Sequence, residues 1–357
     1  MQNNRSNHKR PSGSKKGGTK KKRRVPNYPR IIGWSMGLIL VICVILIVVR
    51  ILVWNKGIEY VMTPEDYERI KLDTLDNIVL WPSEEINKET YDGTTDVLIF
   101  GNDSFHAGID NGESIMDMFK KEVESDTVKL YDCCLPGSYL TSFNETEKSP
   151  EECPEDYFTL FWLLLSSNDK DFSKQNEALN YLDSSKYDLD RYKEVLTILD
   201  GVKYENIDVI MLCYDGHDYL YGKKPINYND GTEDAQTENV ATELGTLYVL
   251  CNFINNINPH TQFVFVSPAF CYATNENGKK VSSAKYDTGY GTIGEYIYCA
   301  RYTINNYYPV SYVDIYNGVL INEDNGKHYL EKDGITPNEK ARKMIADRLV
   351  YLLKERL

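Results

Sequence analysis

The chain has 357 residues, of which 42% are hydrophobic, and it carries 40 basic and 53 acidic side chains. This length is enough for one large or two small hydrophobic cores. Eleven of the basic residues and no acidic ones lie in residues 1–30, so residues 31–357 keep 29 bases against 53 acids, a balance of −24. Such a negative charge argues against nucleic acid or anionic lipid as a partner of residues 31–357.

Residues 1–30 combine the eleven bases with Gly, Ser, Asn and Pro, a composition that is typical of disordered segments. The basic run from Lys20 to Arg24 suits a nuclear-import signal or a nucleic-acid-binding arm. The same run suits the positive flank of a membrane segment. The residues that follow favour this second interpretation.

Residues 31–54 are predicted to form a single transmembrane helix. The nineteen residues from Ile31 to Val49 carry no charge, and after Arg50 the apolar run resumes as far as Trp54. About twenty apolar residues cross the hydrocarbon layer as a helix. A cleaved signal peptide is disfavoured, because its apolar region is shorter and no small-residue cleavage site follows. The basic N-terminal flank predicts a cytoplasmic tail and an extracellular C-terminal domain, as in a single-pass protein of the cell membrane.

Residues 55–93 are expected to form an irregular juxtamembrane lead-in, and residues 94–357 a single domain. Apolar runs and helical periodicity alternate along this domain, as in a parallel sheet with helices on both faces. The predicted elements are strand 96–100, helix 115–123, strand 128–132, strand 207–213, helix 238–257, strand 263–267, helix 294–306, strand 313–315 and helix 338–353. An insertion at about residues 144–206 forms a wall or lid of a pocket, or is plain packing. The predicted fold class is α/β, a three-layer αβα sandwich with a doubly wound, parallel, five-stranded sheet.

The cysteine pattern indicates no metal site. The sequence has eight cysteines, including the adjacent pair Cys133 and Cys134, and no Cys-x-x-Cys spacing. A domain of this size does not need a disulfide framework, so mostly free, buried thiols are expected. The sequence also has no phosphate-cradling glycine loop or nucleotide fingerprint, and we expect no cofactor.

Polar residues follow several of the predicted strands, at the sheet edge where ligands bind in open α/β folds. Ser104 follows the first strand in the run Gly-Asn-Asp-Ser, with Gly108 four residues later, and Gly137 follows the second strand. Asp-Gly-His-Asp at 215–218 follows the third strand, and Asp-Gly-Ile-Thr-Pro-Asn at 333–338 precedes the last helix. A serine in such a turn suits a nucleophile, or it caps the helix that follows.

These four segments, in this order over residues 94–356, resemble the sequence blocks of the SGNH (GDSL-type) hydrolase family. The resemblance implies an ester hydrolase in which Ser104 is the nucleophile, Asp333 orients the catalytic base and the Gly137 N–H stabilises the oxyanion. His217 occupies the position of the family's oxyanion-binding asparagine, and an imidazole N–H can donate in its place. Asp218 completes this block and is a further candidate for the substrate site.

The sequence departs from the family at Thr336, which stands where the family has its histidine. A threonine hydroxyl is not a general base near neutral pH. His217, and after it His106, are the candidates to replace that base, provided that one lies within about 3 Å of the serine hydroxyl or reaches it through one water. For each of them, an ordinary loop or surface imidazole is the alternative.

Two functional hypotheses follow. The first is a membrane-anchored, extracellular serine esterase or O-acyltransferase that acts on acyl esters of cell-envelope polysaccharides or on another ester substrate. The second is a catalytically silent protein of the same fold that binds glycan or assists assembly, and a plain protein-docking module is a weaker third. The 28 tyrosines suit stacking on sugar rings, although most are expected to pack within the domain.

Overall fold

The computed structural model describes residues 28–54, 74–87, 91–225, 239–307 and 309–357. Helix α1 (Tyr28–Trp54) begins three residues before the predicted membrane span. Its segment Ile32–Ile51 has twenty residues with a mean hydropathy of 2.9, long and apolar enough to cross a membrane. The rest of the predicted disordered tail and residues 55–73 of the lead-in lie outside the described residues.

The described part of the remaining chain folds around a sheet of five parallel strands in the order β2-β1-β3-β4-β7, with a separate antiparallel hairpin, β5-β6. The strands are β1 (Thr95–Gly101), β2 (Val128–Cys134), β3 (Val209–Cys213), β4 (Gln262–Val266), β5 (Tyr272–Thr274), β6 (Lys280–Ser282) and β7 (Val310–Val313). This order confirms the predicted doubly wound α/β sheet. Its strand order reverses between β1 and β3, which is where ligands bind in such sheets.

Helices cover both faces of the sheet. They are α2 (Ser83–Ile86), α3 (Asp103–His106), α4 (Ile115–Val123), α5 (Leu160–Asp169), α6 (Ser173–Ala178), α7 (Leu189–Gly201), α8 (His217–Leu220), α9 (Glu243–Ile257), α10 (Ile293–Tyr307), α11 (Ile315–Gly318), α12 (Gly326–Tyr329) and α13 (Glu339–Leu353). In β1, Leu98 and Phe100 belong to one hydrophobic core, and Val97 and Ile99 belong to the core on the opposite face. Because successive side chains of a strand point to opposite faces, this continuous apolar run specifies a central strand.

The insertion at 144–206 packs mainly on one face of the sheet. Leu163 of α5 and Val195 of α7 are fully buried in the same core as Leu98. Arg191 of α7 donates from Nη2 to the carbonyl of Asp132 at 3.0 Å and to that of Cys134 at 3.0 Å, so it fixes α7 across the end of β2. The insertion therefore has the packing role that the sequence left as one alternative.

The second half of the predicted lead-in is part of the domain. Asn77 forms an antiparallel bridge with Tyr312 of β7, and the Val79 N–H donates to Ser311 Oγ at 3.0 Å. Leu80 is 1% exposed in the same core as Val97. These contacts cover the β7 edge, whose backbone groups would otherwise be unpaired. The segment 74–80, which the sequence assigns to the lead-in, therefore completes the sheet edge and the core of the domain.

Three further differences concern element boundaries. Strand β7 begins three residues before the predicted strand, the β5–β6 hairpin was not predicted, and helix α9 begins at Glu243 rather than at 238. The hairpin strands have three residues each, which is too short for a clear alternation of polar and apolar residues. The hairpin contacts the loop before α13 through the Tyr272 N–H, which donates to the Gly334 carbonyl at 2.8 Å.

Candidate functional site

The turn from β1 into α3 begins the candidate site. Gly101 ends β1 in a place without room for a side chain, since an added Cβ would lie 2.5 Å from the Cys213 carbonyl oxygen. Asn102 is fully buried, and Asp103 is the first residue of α3. Asn102 Oδ1 accepts from the Asp215 N–H at 2.9 Å, so the end of β1 is fixed to the segment after β3.

The Asp215 carboxylate is shared by Ser104, Asn102 and His217. Its Oδ2 accepts from Ser104 Oγ at 2.6 Å and from the Ser104 N–H at 3.1 Å. Its Oδ1 accepts from Asn102 Nδ2 at 2.9 Å and from the His217 N–H at 3.0 Å, and lies 2.5 Å from His217 Nδ1. Ser104 is therefore bonded to a carboxylate, and in the part of the chain that the structure describes no imidazole contacts its hydroxyl.

Charge in this cluster is set by the close pair of Asp215 and His217. Burial alone would lower the pKa of His217, but Asp215, with smaller effects from Asp103 and Asp218, raises it from 6.5 to about 10. Burial alone would raise the pKa of Asp215, but His217 and the Ser104 hydroxyl hold it at about 2. At neutral pH the site therefore contains an imidazolium and a carboxylate, and neither is a good base for a serine proton.

The Gly137 N–H, which the sequence predicts as an oxyanion donor, is bonded to a carboxylate of the protein. It donates to Asp103 Oδ2 at 2.8 Å. Gly137 has a φ of 79°, and a Cβ there would lie 2.6 Å from the Tyr187 ring, so glycine is required by both backbone and space. Burial raises the pKa of Asp103, and the charge of His217 opposes that shift. The N–H that the resemblance assigns to the oxyanion is therefore bonded to a carboxyl group of the protein.

We call Asp103, Ser104, Gly137, Asp215 and His217 the strand-end site. Its rim is aromatic. The ring centroid of Tyr139 lies 6.3 Å from that of His217 and 5.4 Å from that of Tyr221, and Tyr221 is 61% exposed. Tyr187, from the insertion, covers Gly137. Tyr221 is therefore exposed to solvent, and Tyr139 and Tyr187 are half-buried, beside the charged pair of Asp215 and His217.

Asp218 holds the rim in place. It is buried and accepts from the Leu140 N–H at 3.0 Å, the Thr141 N–H at 3.0 Å and Thr141 Oγ1 at 2.7 Å. Lys223 donates to the Ser142 carbonyl at 2.9 Å, and burial lowers its pKa to about 8. The prediction that Asp218 lines the substrate site is not tested, but these contacts give it a clear structural role in the 140–142 loop.

Asp333 and Thr336 form a closed turn of their own. Thr336 Oγ1 donates to Asp333 Oδ2 at 2.6 Å, and the backbone N–H groups of Ile335 and Thr336 donate to Asp333 Oδ1 at 2.9 and 3.0 Å. Asp333 is exposed. A Cβ at Gly216 would lie 3.1 Å from Cys271 Sγ, and the next residue, Tyr272, donates from its N–H to the Gly334 carbonyl at 2.8 Å, so consecutive residues contact both loops. Among the described residues, however, no hydrogen bond joins Asp333 to Ser104 or His217.

His106 lies in another environment. It is 9% exposed, and its Nδ1 has no hydrogen-bond partner among the described residues. Burial and the nearby Arg191 lower its pKa. Asp132, at the end of β2, opposes this shift. The proposed role of His106 as a base stays a prediction without a supporting contact.

Sequence reasoning did not identify Asp103 and Asp215 as site residues. Counting from Gly101, where β1 ends, places Asn102 and Asp103 at the second and third positions of the Gly-Asp-Ser block. In the structure, Asp103 begins α3 and contacts Gly137, while Ser104 points to Asp215. The available signal for Asp103 was its place two residues after Gly101, where the apolar strand ends. The spacing from Ser104 to Gly108 pointed to Ser104 instead.

Comparisons with known proteins give structural likenesses. No family model and no curated protein matches the chain. Similar solved structures include a protein from Lactobacillus plantarum, 12% identical, with a TM-score of 0.46 over 75% of this chain and 100% of that one. A possible lipase from Chitinophaga pinensis is 14% identical, with a TM-score of 0.41 over 73% and 98%. A candidate GDSL-like lipase from Bacteroides ovatus is 12% identical, with a TM-score of 0.37 over 73% and 99%.

Two of these three structures are described as lipases. With identities of 12–14% and TM-scores below 0.5, they do not assign a reaction to this chain. The chemistry of the strand-end site has to be argued from its own contacts.

Proposed function

We propose that this protein is a membrane-anchored domain of SGNH-hydrolase type that binds an acylated cell-envelope glycan outside the cell without cleaving its ester through Ser104. The observation that supports this proposal is the hydrogen bond from the Gly137 N–H to Asp103 Oδ2 at 2.8 Å. Ester cleavage needs free donors aimed at the developing oxyanion. A carboxylate in that position uses the donor and repels the negative charge.

The contacts of Ser104 support the same conclusion. A serine nucleophile needs a base that removes its proton, and imidazole is the usual one. Ser104 Oγ donates to Asp215, whose pKa of about 2 makes it a poor proton acceptor. His217 Nδ1 faces Asp215 rather than Ser104, and its pKa of about 10 keeps it protonated at neutral pH. The last block has Thr336 in place of an imidazole.

The aromatic rim supports binding of a sugar. Tyr139, Tyr187 and Tyr221 surround the strand-end site, and tyrosine combines a flat apolar face with a hydroxyl that can contact sugar hydroxyls. Helix α1 supports the membrane anchor by its length and composition. The extracellular position of the domain is inferred from the basic residues that precede this helix.

An ester hydrolase is the second candidate function. It is favoured by the continuous contacts from Ser104 through Asp215 to His217, which join a serine, a carboxylate and an imidazole in one buried cluster. In this alternative, rearrangement on substrate binding would release Ser104 from Asp215. The similar structures described as lipases are consistent with this candidate.

The two candidates are separated by measuring release of p-nitrophenol from p-nitrophenyl acetate by the full chain in nanodiscs. The binding proposal predicts the same rate for the wild type, for Ser104→Ala and for protein-free nanodiscs. Binding of an O-acetylated oligosaccharide, weakened several-fold in Tyr221→Ala, is the positive expectation. A wild-type rate that Ser104→Ala abolishes would reject the binding proposal in favour of the hydrolase.

A further inference from the structure

A second cavity lies between α5 of the insertion and α9. It has a volume of about 560 Å³, within the usual range for small-molecule sites. Phe161 and Trp162 of α5 line it on one side, and Tyr248 and Phe253 of α9 on the other. We call it the insertion cleft. It does not include any residue of the strand-end site.

The polar groups of the insertion cleft are amides and acids. Asn144 and Asn256 contribute amides, and Glu145 and Glu147 contribute carboxylates. Glu147 pairs with Lys174, which lowers the pKa of that glutamate. Glu145 likewise pairs with Lys224, 3.7 Å away, so lysines balance both carboxylates. Amides and carboxylates beside aromatic rings offer hydrogen bonds to hydroxyl groups together with flat apolar faces. Amides, balanced charges and aromatic rings together suit an uncharged sugar.

An apolar slot adjoins the insertion cleft. The slot shares Phe161, Val249 and Phe253 with the cleft and is completed mainly by leucines, including Leu164 and Leu250. Its volume is about 30 Å³, roughly the space of one or two water molecules. Such a dry slot accepts a small apolar group, and its size restricts that group to a short acyl chain such as acetyl.

The insertion cleft is connected to the strand-end site through consecutive residues of one loop. Phe143 packs edge-to-face on Tyr139 and Tyr221 of the aromatic rim, with ring centroids 4.9 and 5.3 Å apart. The next residue, Asn144, lines the insertion cleft. Asp156 holds this loop by accepting from the Phe143 N–H at 2.8 Å. The 143–144 segment therefore contacts the rim with one residue and the cleft with the next.

We infer that the insertion cleft is a second carbohydrate-binding site, in which an uncharged sugar packs against Phe161 and Trp162 and inserts a short acyl substituent into the slot between α5 and α9. The Trp162 ring also contacts Lys174 and Tyr157, which hold it in place at the wall of the cleft. The ligand class rests on the proposed function, whereas the position of the site rests on the cavity and its lining. This gives the 144–206 insertion a binding role in addition to its packing role.

The test is titration of the full chain in phosphatidylcholine nanodiscs with cellotetraose and with O-acetylated cellotetraose, followed by calorimetry and tryptophan fluorescence. We expect the acetylated sugar to bind at least about tenfold more tightly, because the slot removes its apolar group from water. Leu165→Phe, at a half-buried residue that lines the slot but not the cleft, fills the slot and should reduce this preference to about one, with the affinity for unmodified cellotetraose retained.

Substitutions of residues that line the insertion cleft test whether the sugar binds there. Trp162→Ala should weaken binding of both sugars by about five- to tenfold. Because Trp162 also contacts Tyr157, Asn256→Ala, at an exposed position of α9, provides a second variant that does not disturb the core. The matched control is Trp81→Phe, at an exposed tryptophan elsewhere in the chain, which should bind like the wild type.

Each outcome separates this inference from the proposed function. Sugar binding that persists in both Trp162→Ala and Asn256→Ala but is lost in Tyr221→Ala would overturn the cleft site and leave the strand-end proposal standing. Equal affinity for the acetylated and unmodified sugars would overturn the role of the slot. Hydrolysis that depends on Ser104, with binding that still depends on Trp162, would reject the proposed function and retain the cleft.

Discussion

The two aspartates that the sequence blocks bring to the same end of the sheet, Asp215 and Asp333, satisfy their hydrogen bonds in opposite ways. Asp215 is 8% exposed and accepts bonds from residues of two separate segments, the start of α3 and the start of α8. Asp333 is exposed and accepts bonds from its own turn, including one from Thr336 Oγ1 at 2.6 Å. One carboxylate joins distant parts of the chain, and the other closes a local loop.

This difference shows how the site departs from a serine-hydrolase triad. A triad needs the carboxylate of the last block to orient an imidazole that reaches the serine. With a threonine in that position, the Asp333 carboxylate is satisfied by its nearest hydroxyl and does not extend to the strand-end site. Asp215 instead contacts both the serine and the imidazole.

The largest expected effect is a gain of hydrolysis in the double variant Asp103→Ser/Thr336→His. This variant frees the Gly137 N–H, places a hydroxyl at the start of α3 and puts an imidazole beside Asp333. Since a positioned base contributes about 10²–10⁴-fold, we expect p-nitrophenyl acetate hydrolysis at least about tenfold above either single variant. The measurement is p-nitrophenol release by the full chain in nanodiscs.

The matched control for that variant is Asp103→Ser/Thr336→Gln, which has a side chain of similar size that cannot act as a base. It should stay at the background rate. Equal rates in the two double variants would show that position 336 does not reach position 103, and the correspondence of the last block with the family would then be wrong.

The second effect is on stability. Asp215→Asn keeps the shape of the side chain but removes the charge that balances His217 and replaces one acceptor oxygen by a donor. Breaking a buried ion pair in this way costs about 3–5 kcal/mol. The free energy of unfolding of the full chain in micelles, measured in urea by tryptophan fluorescence, should fall by that amount. A loss below about 1 kcal/mol would mean that the cluster around Asp215 is not held as described.

Much of this fold was predictable from the sequence. The apolar run of β1 predicted a central strand because both of its faces are buried, and the alternation of strands and helices predicted the doubly wound sheet. The lead-in at residues 74–80 could not be predicted, because its contacts with Tyr312 and Ser311 depend on which strand ends at the sheet edge. That information belongs to the topology rather than to the local pattern.

The sequence predicted where the site lies, but it could not predict which of its side chains bond to each other. In the structure Ser104, Gly137 and His217 follow the ends of β1, β2 and β3, the order in which the motifs occur in the chain. The motif order could not show that Asp103 would reach the Gly137 N–H and that Ser104 would turn to Asp215, because both depend on side-chain directions at the first turn of α3. Adjacent residues of a helix point about 100° apart, so a shift of one residue exchanges their roles.

The third effect is on the pH dependence of the free energy of unfolding, to which His217 contributes. Its pKa is raised from 6.5 to about 10 in the folded protein. The stability that its charge contributes is therefore present in full below about pH 6.5 and is lost as the pH rises toward 10. We expect His217→Gln to lower the free energy of unfolding by about 2 kcal/mol at pH 6 and by progressively less toward pH 10. A pH-independent difference would show that His217 acts through packing alone.

The smallest effect on the free energy of unfolding is expected at Asp333. It is also the most direct test of the contrast between Asp333 and Asp215. Asp333→Asn makes the same chemical change as Asp215→Asn, but in an exposed turn where water replaces a lost bond. We expect a loss of no more than about 0.5–1 kcal/mol in the same urea unfolding experiment.

Thr336→Val, which removes the hydroxyl from the other side of the same hydrogen bond, should give a similar loss. If the two changes are combined, the loss should not exceed that of either one by much, because both remove one shared contact. Losses at Asp333 that equal those at Asp215 would mean that the last-block turn, like the strand-end site, is held by contacts across the fold.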